Sequence, residues 1–178
     1  MYGCQTAWAQ ALDAPVVISA HVAGWCRRPE RVTYFRETYE LGSALTLHWV
    51  GGHFRSQTVA GWRTGNAGAG VLLAGEAVSP NPDRRTVTFM RSFPNRLPLS
   101  GAVVRRIAAQ LEGMHFDRLY DPFGGVVPSD AKAVLRSSAD RYAATACTTT
   151  GPGDAHRARG SFPPAAPCSQ PVLTRWAS

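Results

Sequence analysis

The N-terminal two thirds of the chain are organised as short β-prone runs separated by turn residues. Gln5 to Leu12 is the exception, with Ala7, Trp8, Ala11 and Leu12 at helical spacing and Asp13-Ala14-Pro15 to stop them. Val16-Val17-Ile18-Ser19-Ala20 reads as a buried strand, and Val22 to Arg31 as irregular and basic. Thr33-Tyr34-Phe35 and Thr38-Tyr39-Glu40-Leu41 are β-prone, with Gly42-Ser43 as a turn. Leu45 to Val50 forms the next strand and ends in Gly51-Gly52-His53-Phe54. Thr58 to Trp62 follows, then a turn over Thr64 to Gly68, then Val71-Leu72-Leu73-Ala74, which ends in Gly75-Glu76. After a loop at Pro80 to Asp83, Thr86 to Met90 is a further strand.

The period then changes. Val103, Val104, Ile107, Ala108 and Leu111 define a helix with Ser100 as its cap and Gly113 at its end. Asp117 to Tyr120 is a short strand. A second helix, capped by Ser129, carries Ala131, Val134, Leu135, Ser138, Ala139 and Tyr142 on one face. Strands with sheet-covering helices predict an α/β layered domain over residues 1–147. Residues 148–178 are rich in Pro, Ala, Gly, Ser and Arg without periodicity, and are expected to form a disordered tail.

Composition narrows the reading. With 178 residues and 44% hydrophobic content, the chain can build one real core. No apolar run is long enough for a transmembrane helix, and no signal peptide is visible at Met1 to Gln5, so a cytoplasmic protein is expected. The net charge is +7, carried by arginines, with Lys132 as the one lysine. Those arginines are dispersed, without a basic run or interleaved aromatics, so nucleic acid is not the expected partner. Cys4, Cys26, Cys147 and Cys168 lie far apart and form no C-x-x-C pair, which argues for free thiols rather than a cysteine zinc site.

The candidate chemistry sits where two strands end. His53 and Glu76 each follow glycine-rich turns, so an imidazole and a carboxylate are delivered to one edge of a sheet, the arrangement a hydrolytic metal site requires. His48 lies within a strand and faces opposite to Leu47 and Trp49, which suits a surface or packing role. His21 suits packing or hydrogen bonding, His115 a solvent-facing position, and His156 falls in the tail. Ser43, Ser56 and Ser92 lack a G-x-S-x-G setting, and Gly65 to Gly70 lacks the lysine and helix of a phosphate loop. Cys26 has Arg27 and Arg28 beside it but no evident base.

Taken in order, several of these pieces resemble the C-terminal half of a metallo-β-lactamase-fold hydrolase. They are Gly51-Gly52-His53-Phe54, Thr58-Val59 and Leu72-Leu73-Ala74-Gly75-Glu76, followed by Asp83 to Met90 with Ser92-Phe93-Pro94-Asn95. Phe116 to Tyr120, Asp130-Ala131-Lys132 and Ser138 to Tyr142 complete the series. The resemblance covers residues 1 to about 145. It implies a partial αβ/βα sandwich with zinc at one edge of the sheets. His53 resembles the family's later metal-binding His, and Glu76 stands where its bridging Asp is expected. The family's H-x-H-x-D-H loop is absent; Tyr2 and Gly3 fall near its Asp and His, and neither replaces a ligand well. The last His is also missing, with Asp121 in Tyr120-Asp121-Pro122-Phe123 as the substitute candidate.

The resemblance therefore implies an incomplete zinc site of His53, Glu76 and Asp121, with Glu76 also the candidate to orient a catalytic water. Glu in place of Asp adds a methylene, displacing the carboxylate by about 1 Å where productive geometry tolerates about 0.5 Å. One expectation is a truncated or degenerate metal-dependent hydrolase-like protein acting, if active, on a small-molecule ester, amide, thioester or phosphoester. The other is a non-catalytic fragment that depends on self-association or on a complementing N-terminal segment, because an isolated half would expose the sheet face its partner should cover.

Overall fold

The structure is a computed structural model that describes residues 4–92 and 97–148. The chain divides into two units, 1–148 and 149–178. The expected tail, with His156 and Cys168, lies outside the described residues, as do Tyr2, Gly3 and the Phe93-Pro94-Asn95 part of the resemblance.

In chain order the elements are α1 (Gln5–Ala11), β1 (Val16–Ser19), β2 (Val32–Phe35), β3 (Thr38–Leu41), β4 (Leu45–Trp49) and β5 (Thr58–Trp62). Then come β6 (Val71–Leu73), β7 (Ser79–Pro80), β8 (Val87–Thr88), β9 (Met90–Ser92) and β10 (Leu97–Pro98). The last are α2 (Gly101–Glu112), β11 (Arg118–Tyr120), β12 (Val126–Val127) and α3 (Ala131–Thr148). The architecture is mixed α/β. Its main sheet has six strands in the order β12-β11-β6-β5-β4-β3, with β11 parallel to β6 and the other pairs antiparallel.

Register decides which side chains meet the helices. Leu47 pairs with Ala60, Ala60 with Leu73 and Leu73 with Tyr120, so these four share one face. The opposite face carries Val59, Leu72, Leu119 and Val127, all essentially fully buried. Against it pack Val104, Ile107 and Leu111 of α2 and Leu135 of α3, at the three- and four-residue spacings of a helix stripe. Ser100 caps α2 by accepting a hydrogen bond from the Val103 N–H.

Three expectations need correction. β1 is not a core strand: it pairs only with β2, and among its residues only Ser19 is buried. The run Thr86 to Met90 is not one strand but two short pieces, β8 and β9, interrupted at the fully buried Phe89. The flanking residue of α3 is Asp130 rather than Ser129. Asp130 has φ +54°, its N–H donates to the Asp117 carboxylate, and its carbonyl accepts the first helical bond from Val134. Asp117 also accepts from Asn66 Nδ2 and, through its carbonyl, from the Ala131 N–H. One carboxylate thus ties the start of β11 to the start of α3.

α3 meets the β7–β8 hairpin through hydrogen bonds as well as packing. Buried Ser138 accepts from the Val87 N–H at 3.1 Å, so this backbone donor is satisfied away from water. Among the described residues, no helix is long and apolar enough to cross a membrane.

Two predictions follow from this packing. Gly70 has φ +83°, and a β-carbon there would lie 2.4 Å from the His115 carbonyl oxygen; Gly68 has φ +92° with open space around it. Gly68→Ala should cost about 1 kcal/mol from backbone strain alone, and Gly70→Ala about 3 kcal/mol or more, in urea unfolding. Equal losses would show that the backbone contact is relaxed in solution.

His48 lines the helix-side face, and its burial holds the imidazole pKa below the ordinary histidine value. The unfolded chain therefore takes up the proton first as pH falls. Stability should be level above about pH 7 and drop as pH falls through about 6.5. His48→Gln should flatten that part of the profile, and an unchanged slope would assign it to other groups.

Candidate functional site

The site is built by two reversals of the chain at one edge of the main sheet. β4 leaves the sheet through Gly51 (φ +58°) and Gly52 (φ +97°). At Gly52 a β-carbon would come within 2.8 Å of Ile107 Cδ1, so the turn is pressed against α2 and the left-handed backbone favours glycine. The loop then closes on itself. The N–H groups of Val50 and Gly51 both donate to the Gln57 carbonyl, and the Trp49 indole donates to the Arg55 carbonyl at 2.7 Å. Trp49 is itself held by a stacked His21, with ring centroids 4.0 Å apart, and by the Arg106 guanidinium, which lies over the ring 5.6 Å from its centroid. His21 thus has the packing role expected of it.

This loop turns His53 inward, to 8% exposure. Its Nδ1 lies 2.9 Å from the carbonyl oxygen of Met90 in β9. A carbonyl only accepts, so Nδ1 carries a proton and Nε2 is the ring nitrogen turned toward Glu76. The second reversal follows β6: the Ala74 N–H donates to the Tyr120 carbonyl, Gly75 takes φ +53°, and the Ala77 N–H returns to the Ala74 carbonyl. It brings Glu76 Oε2 to 3.6 Å from His53 Nε2.

The pair has a definite electrostatic meaning. With a neutral ring, a nitrogen lone pair and a carboxylate oxygen face each other, and both are acceptors. A cation stabilises that arrangement, either a proton on the imidazole or a metal between the two atoms. Two zinc ligands at about 2.0–2.2 Å in tetrahedral geometry stand roughly 3.4 Å apart, close to the separation here. A ligating His whose other ring nitrogen donates to a backbone carbonyl is also the usual supporting arrangement for a metal.

The set stops at two. Asp121 does not join it: its Oδ1 accepts from the N–H groups of Phe123 and Gly125, which makes it the organiser of its own loop. Among the described residues no group of three or more His, Cys, Asp or Glu side chains could hold a metal ion. His115 is exposed, and its Nε2 pairs with the Gly68 carbonyl. Cys26 Sγ meets the Arg28 carbonyl.

Beside the pair lies a cavity of about 490 Å³ that no sequence motif announced. Met90, whose carbonyl holds His53, is in its wall; so are Arg84, Thr88, Asp121 and Phe123. Those residues come from the β7–β8 turn, from β8 and β9, and from the loop after β11, and the signals available were only the turn-forming Asn81-Pro82-Asp83 and Phe123-Gly124-Gly125.

No family model matches the sequence. Over 143 residues, 79% of its length, the chain is 38% identical to the uncharacterized protein YmaE of Bacillus subtilis (strain 168). The match covers 52% of that protein, so the chain spans about half the length of the relative it matches. Among solved structures, the metallo-β-lactamase MIM-1 from Novosphingobium pentaromativorans is similar with a TM-score of 0.39 and 15% identity, over 79% of this chain and 60% of that one. A likeness at that score carries no argument about the fold.

The His53 ring supplies the donor for the buried Met90 carbonyl. His53→Ala should therefore destabilise the domain by about 1–3 kcal/mol in denaturant unfolding, in the absence of any metal. A change within about 0.5 kcal/mol would mean that water replaces the ring without loss.

Proposed function

We propose that this chain is a metallo-β-lactamase-like half-domain that carries two corners of a metal site, His53 and Glu76, and does not hydrolyse substrate by itself. The observation that carries the reading is the pair's geometry: Nδ1 committed to the Met90 carbonyl, and Nε2 set 3.6 Å from Glu76 Oε2. The ordered sequence pieces that resemble the family supply the class.

The residues present do not make a working zinc centre. Catalytic zinc takes three protein ligands and keeps a further position for water. Two ligands leave the ion weakly held, so no hydrolytic step is assigned to His53 or Glu76 in this chain alone. In a completed site, supplied by another polypeptide segment or another protein, zinc would activate water, and a small-molecule ester, amide, thioester or phosphoester is the proposed substrate class.

A second reading, a partner-dependent binding protein without chemistry, is favoured by one further observation. The sheet face away from the helices carries Leu41, Trp62, Leu73 and Tyr120 at 41%, 45%, 41% and 36% exposure. Four large apolar side chains on one face are a surface for a partner rather than for solvent.

Zinc titration of the purified full chain, with metal content and ester hydrolysis measured together, separates these outcomes. Complete structural zinc sites bind with about 10–16 kcal/mol, so half the ligands predict a Kd between about 1 µM and about 0.1 mM. His53→Ala and Glu76→Gln should each weaken that binding about tenfold or more, and hydrolysis should stay at the buffer rate. Tight stoichiometric zinc with turnover would overturn the half-site reading. Zinc affinity indifferent to both substitutions would remove the pair from it.

A further inference from the structure

We infer that the cavity beside the His53–Glu76 pair is a binding pocket for a small organic monoanion, a carboxylate with an apolar body, anchored by Arg84. At about 490 Å³ the cavity falls within the range that holds small ligands. Its wall combines an apolar part, Met90 and Phe123, with a few polar groups, Arg84, Thr88 and Asp121.

Arg84 is presented by a loop built to hold it. The Asn81 N–H donates to the Thr86 carbonyl and the Arg84 N–H to the Asn81 carbonyl. The Asp83 carboxylate accepts from the N–H groups of Arg85 and Thr86 and from the Thr86 hydroxyl. The bond from Arg85, then those from Thr86, hold the Asp83 carboxyl below the usual carboxylate range, so it stays ionised and the loop stays closed. Arg84 occupies the left-handed region at φ +57° within this ring of bonds. Asp83 is thereby spent on backbone donors. Among the described residues, no hydrogen-bond or carboxylate partner engages the Arg84 guanidinium. A guanidinium in a cavity wall without a protein partner is a ready fork for a carboxylate.

A second lining residue, Asp121, sets the charge of the ligand. Asp121 is fixed by two backbone N–H groups, so a carboxylate stands in the same cavity as the guanidinium. A dianion such as phosphate would leave one charge uncompensated against Asp121. A monoanion is balanced by Arg84 and leaves Asp121 free to accept a hydrogen bond from a donor on the ligand. Phe123 is 65% exposed at the rim, where an apolar body entering with the carboxylate would cover it.

This inference does not require a metal, and its test excludes one. The full chain, labelled with ¹⁵N and kept in EDTA, is titrated with 3-phenylpropanoate and, separately, with 3-phenylpropanamide and inorganic phosphate. Saturable amide shifts at Arg84, Thr88, Gly124 and Gly125 are expected, with a Kd of about 1 mM for the carboxylate. Binding should weaken about tenfold for the uncharged amide and about tenfold in Arg84→Gln, while Arg85→Gln, one residue along the loop, should bind as the unsubstituted chain does. The spectrum of each variant checks that the fold is intact. No saturable shift at these amides, equal binding by Arg84→Gln, or phosphate binding more tightly than the carboxylate would each overturn the proposal. Because EDTA is present throughout, failure here leaves the zinc titration untouched, and failure of zinc binding leaves this result untouched.

Discussion

The two-residue alternation of the six-stranded sheet is the constraint on which the rest of the domain depends. With the observed pairing, Val59, Leu72, Leu119 and Val127 all point at α2 and α3. A slip of one residue in any pair would turn a fully buried side chain outward and bring a half-exposed one inward. Each such exchange forfeits roughly 1.5–3 kcal/mol of burial, a large fraction of a small domain's total stability. Register is therefore not negotiable, and it also fixes where the strand ends fall. β4 and β6 flank β5, both antiparallel to it, so both finish at the same edge of the sheet. The His53 and Glu76 loops meet there for that reason.

Much of this was legible in the sequence because the signals are local. Ser100 caps α2 as expected, and Gly113 follows its last residue, though with φ −72° rather than in the left-handed cap conformation. Gly51-Gly52 and Gly75 announce tight reversals, and positive φ is found at all three. The sequence placed His53 and Glu76 after glycine-rich strand ends, and the observed strand order sets them 3.6 Å apart. What sequence could not show was anything decided by non-local satisfaction. Val16 to Ser19 is as apolar as a core strand, but its pairing stops at β2, so Val16, Val17 and Ile18 stay only partly buried. Asp121 carries the right chemistry for a metal ligand, yet the nearest unsatisfied groups are the backbone donors of its own turn, and those claim it first. The Arg84 cavity had no motif because its walls are brought together only by tertiary packing.

Two carboxylates in this region illustrate one rule with different consequences. Asp83 and the Oδ1 atom of Asp121 are both engaged by loop N–H groups, which makes their loops stiff. Stiffness has a use: a guanidinium on a rigid loop loses less conformational freedom on meeting a carboxylate than one on a floppy chain. Glu76 is the opposite case. Among the described residues its longer side chain accepts from no loop N–H, and it meets His53.

Energetics limit what the bare sheet face can hold. Leu41, Trp62, Leu73 and Tyr120 are each only about two-fifths exposed, so completing their burial returns roughly 1 kcal/mol apiece, about 4 kcal/mol together. Association of two free molecules costs about 4–15 kcal/mol in lost translational and rotational freedom. These four side chains therefore cannot by themselves hold a separate protein, and a second copy of this domain offers no more than the same patch. A covering layer joined to the domain in one polypeptide escapes most of that cost, because the linker supplies a high effective concentration. On these magnitudes a free partner would need strong contacts of its own outside this face.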